Sequence, residues 1–245
     1  MNSPPSAPQV AAVVGATGGI GSAFVALLAR DAGVGRVLAL SRRPTFDQQA
    51  HVVAATVDIT DEASIAAAAE QARSMGELRL VIVATGLLHG QGISPEKNWG
   101  ALTGDALARV FAVNSIGPAL VAKHFLPLLP RRGRSVFATL SARVGSIEDN
   151  RLGGWYAYRA SKAALNMLLR TFAIELARRA PEALCIGLHP GTVDTGLSKP
   201  FQGNVATNTL RQPEDMAARL LEVIRRLRPE DSGGVFAWDG ARLPA

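Results

Sequence analysis

The chain has 245 residues, 48% hydrophobic and 19% charged, enough apolar material for a folded core and too much for an intrinsically disordered protein. Its formal net charge is +6, yet the densest basic groups, Arg131, Arg132 and Arg134, then Arg225, Arg226 and Arg228, carry no interleaved aromatic residues, so no nucleic-acid face is expected. The single cysteine, Cys185, cannot form an internal disulfide, and no stretch reads as a signal peptide or as the roughly 20 apolar residues of a membrane span; a cytoplasmic protein without membrane contact is expected.

The Pro/Ser-rich leader, residues 1–9, reads as disordered, and a single domain is expected over 10–245. A first strand, "VAAVVGA" (10–16), runs into a glycine-rich turn and a helix over 19–32. Strands follow at "RVLALS" (36–41) and "HVVAATVD" (51–58). Thr60 or Asp61 then caps a helix over 61–75, with Glu62 in its first turn. The strand "LRLVIVATG" (78–86) precedes a long helix over about 103–128. After "RSVFATLSA" (134–142) come a helix over 156–180 and the strand "LCIGLHPG" (184–191), inside which Cys185 reads as a core residue. Pro213, Glu214 and Asp215 open a last helix to 228, before a short strand "GVFAWDG" (234–240).

Most of these strands are continuous apolar runs, the pattern of strands covered on both faces. Strands alternating with helices predict an α/β fold: a Rossmann-type doubly wound parallel sheet of about seven strands with helices on both faces. The longest irregular piece spans 191–212, and in such folds ligands bind outside the C-terminal strand ends.

"VVGATGGIGSAF" leaves the first strand and opens the first helix. Gly15, Gly19 and Gly21 provide a tight turn, a close backbone approach and room for the helix against the sheet, with the open N–H groups of the helix facing a pyrophosphate. Gly18 also permits the spacing Gly15, Gly18, Gly21. An acidic residue about 20 positions on would bind the ribose 2′-hydroxyl of NAD. Here Ser41, Arg42 and Arg43 stand in that place, and guanidinium suits a 2′-phosphate, so NADP is expected over NAD. Asp58 is placed either to meet an adenine amino group or to help cap the next helix.

In "WYAYRASKAALN" (155–166), Tyr158 and Lys162 are four apart and share one helical face, whereas Tyr156 has Ala160 at that distance. A phenol with a pKa near 10 is a poor acid–base at neutral pH. Moving it to about 7 takes roughly 4 kcal/mol, which a neighbouring ammonium and a second positive charge in a dry site supply.

The pieces "GATGGIG", "VATG" (83–86), "FAVN" (111–114), "LSARVGSI" (140–147), "YRASK" (158–162) and "PGTVDT" (190–195) occur in order, and together they resemble a short-chain dehydrogenase/reductase of the single-domain type. The branch that includes sniffer-type carbonyl reductases and C-factor-like signalling proteins is the most similar. The resemblance implies that Tyr158 gives a proton to a carbonyl, that Lys162 holds the nicotinamide ribose and lowers the tyrosine's pKa, and that Asn114 supports a water linking Lys162 to solvent. It implies a nicotinamide cofactor against Gly15, Thr17, Gly18, Gly19, Ile20 and Gly21, against Ser41, Arg42 and Arg43, and against Asp58 and Ile59. Ala84, Thr85, Gly86, Asn114, Tyr158 and Lys162 would follow, with Pro190, Gly191, Val193 and Thr195 lining the nicotinamide. It also implies a homodimer or homotetramer, and no metal.

Two departures stand out. Ala84, Thr85 and Gly86 replace the frequent Asn-Ala-Gly. Ala142 occupies the position, three before a glycine, of the serine that polarises the substrate carbonyl. Ser141 serves only if the strand end twists or bulges, since strand neighbours point to opposite faces. It is the first expectation; Ser146, or no serine, is the alternative.

The expected activity is NADP(H)-dependent interconversion of a carbonyl and an alcohol. The other reading is an NADP-binding sensor of C-factor type with little turnover. An extended epimerase-like branch is disfavoured by the 50 residues left after "PGTVDT". Leu87, Leu88, His89, Trp99, Leu152, Trp155, Leu197 and Phe201 are the expected pocket walls, a mostly apolar set suited to an aldehyde or ketone with a hydrophobic body.

Overall fold

The computed structural model describes residues 8–45, 51–90, 92–204 and 210–244. Of the predicted leader, residues 1–7 lie outside them, and the first strand begins at Gln9, one residue before the expected domain start. Seven strands form one parallel sheet: β1 (Gln9–Val14), β2 (Arg36–Ser41), β3 (Val52–Thr56), β4 (Glu77–Val83), β5 (Ser135–Leu140), β6 (Ala183–His189) and β7 (Val235–Ala237). Their spatial order is β3-β2-β1-β4-β5-β6-β7, so the direction of winding reverses between β1 and β4, where such sheets open a ligand crevice.

Helices α1 (Gly19–Leu28) and α6 (Pro213–Arg226) cover one face; α2 (Glu62–Met75), α4 (Gly117–Phe125) and α5 (Tyr156–Arg179) cover the other. The alternation of β1 shows why its sequence is apolar throughout. Ala11 and Val13 join the core under α1 and α6, while Val10, Ala12 and Val14 join the opposite core. Full burial of side chains such as Phe24 and Phe125 stabilises each layer by about 1.5–3 kcal/mol per residue. The edge strand β3 departs from this pattern, with most of its residues partly or fully exposed.

Asp61, not Thr60, caps α2, its carboxylate accepting from the Ala63 amide at 3.0 Å. The long helix expected over 103–128 is a continuous helical run with a wider turn in the middle: α3 (Gly104–Phe111), a π turn at Ala112–Ile116, α4, and a closing 3₁₀ turn at Leu126–Leu128. By length and composition alone, Gly104–Leu128 is apolar enough to cross a membrane, which the sequence reading did not anticipate. Val110, Asn114, Val121 and Phe125 are nevertheless buried within the fold, the position of a core helix. Cys185 is a buried free thiol, pushed up by burial, as its core assignment predicts.

Candidate active site

The glycine turn is built by steric necessity. Gly15 has φ +85°, and a Cβ on Gly21 would fall 2.1 Å from the Gly15 carbonyl oxygen, so neither position accepts a side chain. A Cβ on Gly19 would come within 2.7 Å of Thr195 Cγ2. Gly18 caps α1 in ordinary extended geometry, and its nearest obstacle is at 3.3 Å. Of the two glycine triplets the sequence allowed, Gly15, Gly19 and Gly21 is therefore the one that packing demands. No side chain caps α1, which leaves its first amides open to an anion.

This turn borders a cleft of about 1080 Å³ at the β1/β4 reversal. Gly15, Thr17 and Gly18 line it, with Ser41 at the end of β2, Arg42 and Arg43 just past it, Asp58 and Ile59 past β3, and Ala84, Thr85 and Gly86 past β4. The hydroxyls of Ser41 and Thr85 are buried and have no hydrogen-bond partner in the protein. A polar ligand in the cleft would remove the cost of two unsatisfied groups, about 1–3 kcal/mol each. Arg42 and Arg43 are exposed at its edge, with no carboxylate in the 2′ position. The donor set fits a phosphorylated dinucleotide. Asp58 is committed to Thr60, whose hydroxyl and amide bond its Oδ1 at 2.7 and 2.9 Å and hold its carboxyl below the usual range; Arg42 adds to that effect. The sequence reading missed Arg109 of α3, which also lines the cleft.

The second half of the site is on α5. Lys162 Nζ lies 5.9 Å from the centre of the Tyr158 ring and donates to the Leu140 carbonyl at 2.8 Å. Burial pulls the ammonium from 10.5 down to about 8 and pushes the phenol from 10.0 up to about 12. Asn114 sits in the π turn, a feature common at functional sites. Its Oδ1 accepts from the Leu87 amide at 2.8 Å, and its Nδ2 donates to the Leu87 carbonyl at 2.9 Å and Ser161 Oγ at 3.1 Å. Asn114 thus clamps the exit of β4 to the helix that carries Tyr158 and Lys162.

The Ser141 hydroxyl already has a partner within the fold. It donates to Asn166 Oδ1 at 2.6 Å, and Asn166 lies two helical turns, about 12 Å of rise, beyond Tyr158. β5 ends at Leu140, so Ser141 lies just past the strand, and the chain enters a 3₁₀ turn at Arg143–Gly145. That turn packs on α5 so closely that a Cβ on Gly145 would sit 2.8 Å from Lys162 Cβ. Ser146, the next residue, is buried there and accepts from the Asp149 amide. Ser146 thus follows directly on the glycine that packs against Lys162.

Beyond β6, Pro190 and Gly191 (φ +71°) turn the chain against Trp238. Val193 is buried and bridges to Arg211, and Thr195 arrives over Gly19. The expected pocket walls divide. Trp99 and Leu152 are 80% and 91% exposed, and Leu88 is buried in the protein. Three others form an aromatic series beside the dyad: Trp155 edge-on to Tyr158 at 6.3 Å, Phe201 at 5.1 Å from Trp155, and His89 at 5.5 Å from Phe201. Trp155 holds a left-handed backbone (φ 52°), unusual for a bulky residue. The buried Glu96 sustains it, its carbonyl accepting from the Trp155 amide and its carboxylate from the Ala157 amide in the first turn of α5.

A doubly wound parallel sheet with a glycine turn at its reversal defines a nucleotide-binding α/β protein. A family model described as short chain dehydrogenase matches residues 9–205. The 1-hydroxy-2-glutathionyl-2-methyl-3-butene dehydrogenase of Rhodococcus sp. (strain AD45) is 35% identical over 187 residues, 76% of this chain and 77% of that protein. The C-signal protein of Myxococcus xanthus is 37% identical over 162 residues, 64% of this chain and 90% of that one. An NADPH-bound carbonyl reductase from chicken fatty liver superposes with a TM-score of 0.85 at 26% identity, covering 98% of this chain and 95% of that one. The chain belongs to the short-chain dehydrogenase family. It is an NAD(P)-dependent oxidoreductase.

Proposed function

We propose that this protein is an NADPH-dependent carbonyl reductase for aldehydes or ketones with hydrophobic bodies. The observation that carries this reading is a cleft bearing Arg42 and Arg43 in place of a carboxylate, whose wall residue Leu87 is tied through Asn114 to the helix that holds the Tyr158/Lys162 pair. The dihydronicotinamide, when bound, would supply the hydride for the carbonyl carbon. Tyr158 gives its phenolic proton to the carbonyl oxygen. Burial keeps that phenol protonated at neutral pH, the form that reduction requires. Lys162 holds the ribose and refills the tyrosine's proton. Ser146 donates a hydrogen bond to the carbonyl oxygen as charge develops on it. Thr195 and the PGTVDT turn orient the nicotinamide, and the aromatic wall excludes water.

The double substitution Arg42→Ala/Arg43→Ala is expected to raise the KM for NADPH by about 10- to 100-fold and to leave that for NADH within about threefold, since hydrogen bonds to charged groups are worth about 1.5–3 kcal/mol. Equal losses with both cofactors would remove the phosphate assignment. Ser146→Ala should lower kcat by about 10²-fold, the effect of removing one oxyanion donor, and Ser141→Ala by less than about threefold. The reverse ranking would return the role to Ser141.

A second reading, a nucleotide-binding signalling protein with little turnover, draws on Ala142 and on the likeness to the C-signal protein. It predicts NADPH binding without reduction of any carbonyl.

A further inference from the structure

Three residues past Gly86, His89 reaches across the mouth of the site to the chain that follows β6. Its Nε2 lies 3.0 Å from the Gly196 carbonyl and 3.1 Å from that of Leu197. Carbonyl oxygens only accept, so Nε2 carries the hydrogen and shares it between them. The remaining hydrogen bonds of the segment are local. Ser198 and Lys199 return their amides to Thr195, Phe201 returns its own to Ser198, and Gln202 Nε2 bonds Asp194 Oδ1 at 3.0 Å and Ser198 Oγ at 2.8 Å. Among the described residues, only His89 hydrogen-bonds Gly196–Gln202 to the body of the protein beyond that root.

Two apolar contacts depend on this one anchor. Leu197 is brought over the end of β4, where a Cβ on Gly86 would meet its Cδ2 at 3.8 Å. Phe201 is brought between the His89 ring and Trp155, whose own ring meets Tyr158. The anchor and the wall therefore form one unit, running from β4 to the phenol.

We infer that His89 is a positioning residue: by holding the Gly196 and Leu197 carbonyls it fixes Leu197 and Phe201 as the apolar wall that receives the substrate, an inference that rests on the reductase reading. A wall held in place contributes equally to binding the substrate and the transition state, so its loosening appears in KM and not in kcat. Because His89 makes no hydrogen bond to the glycine turn or to α5, the effect on cofactor affinity is expected to be small beside that on KM.

The test uses the full chain with two substitutions. His89→Ala removes both hydrogen bonds and the ring; His89→Gln restores an N–H donor without the ring. For His89→Ala, the KM of an apolar ketone should rise about tenfold, the equivalent of one or two neutral hydrogen bonds, with kcat and the NADPH Kd within about twofold. In hydrogen–deuterium exchange of the protein without ligand, the amides of Ser198, Lys199 and Phe201 should exchange about tenfold faster in His89→Ala. His89→Gln should bring both measurements back to within about threefold of the natural protein. Wild-type exchange in His89→Ala, faster exchange with an unchanged KM, or a glutamine no better than alanine would each overturn the inference. If the exchange pattern is as predicted but the natural protein reduces no carbonyl, the anchor stands and the reductase reading fails.

Discussion

Tyr158→Phe is expected to lower kcat on a reducible carbonyl by about 10³-fold while leaving the NADPH Kd within about twofold. The substitution removes one oxygen and keeps the ring that Trp155 meets edge-on, so the wall and α5 are preserved. What is lost is the proton for the carbonyl oxygen. Without it the reaction has to develop a full alkoxide in a site where burial already disfavours anions, as the rise of the Tyr158 phenol to about 12 indicates. Stopped-flow rates at saturating NADPH, set beside a fluorescence titration of the nucleotide, separate the two effects. A mutant with wild-type rates would remove Tyr158 from the mechanism; a mutant that has lost NADPH binding would make it a cofactor residue.

Lys162→Met should lower kcat by about 10²-fold or more, and it should weaken NADPH binding as well, because the same ammonium is assigned to both tasks. It also carries a stability signature that needs no substrate. Lys162 is 3% exposed, and burial pulls its pKa from 10.5 to about 8. Below pH 8 the folded and unfolded chains both hold the proton, and the folded state carries the full cost of a buried ammonium, up to about 3 kcal/mol. Between pH 8 and 10.5 the unfolded chain binds the proton that the folded one has released, so stability rises with pH. Methionine carries no such cost. The variant should therefore be the more stable protein at pH 7, with the gap narrowing towards pH 10. The difference between the two proteins isolates this group from Tyr158 and Cys185, whose burial acts in the opposite sense. Urea unfolding without ligand at pH 7, 9 and 10 measures it, and a gap independent of pH would contradict it.

What was legible in the sequence was local. The glycine turn lies within seven residues, the Tyr158/Lys162 pair within one helical turn, and each strand was an apolar run bounded by its own turn signals. These features follow from steric rules and periodicity, and the seven parallel strands emerged in the predicted positions within a few residues. The failures were long-range. Glu96 supports the first turn of α5 from 61 residues away, and His89 anchors a segment 107 and 108 residues further along. No spacing in the sequence announces either contact. The choice between Ser141 and Ser146 was not legible for a different reason. It turns on partners past the end of β5, Asn166 for Ser141 and the Asp149 amide for Ser146, which strand alternation does not announce. The high exposure of Trp99 and Leu152 was not legible either, because hydrophobicity alone gives a side chain no direction.

The most direct test of the central claim follows the hydride itself. NADPH deuterated on the transferred face of C4 is mixed with the protein and a panel of hydrophobic aldehydes and ketones, and the products are analysed by mass spectrometry. The account predicts an alcohol carrying one deuterium on the carbinol carbon, formed in step with NADPH consumption and lost in Tyr158→Phe. Tight NADPH binding with no labelled alcohol from any member of the panel would contradict it and favour the signalling reading.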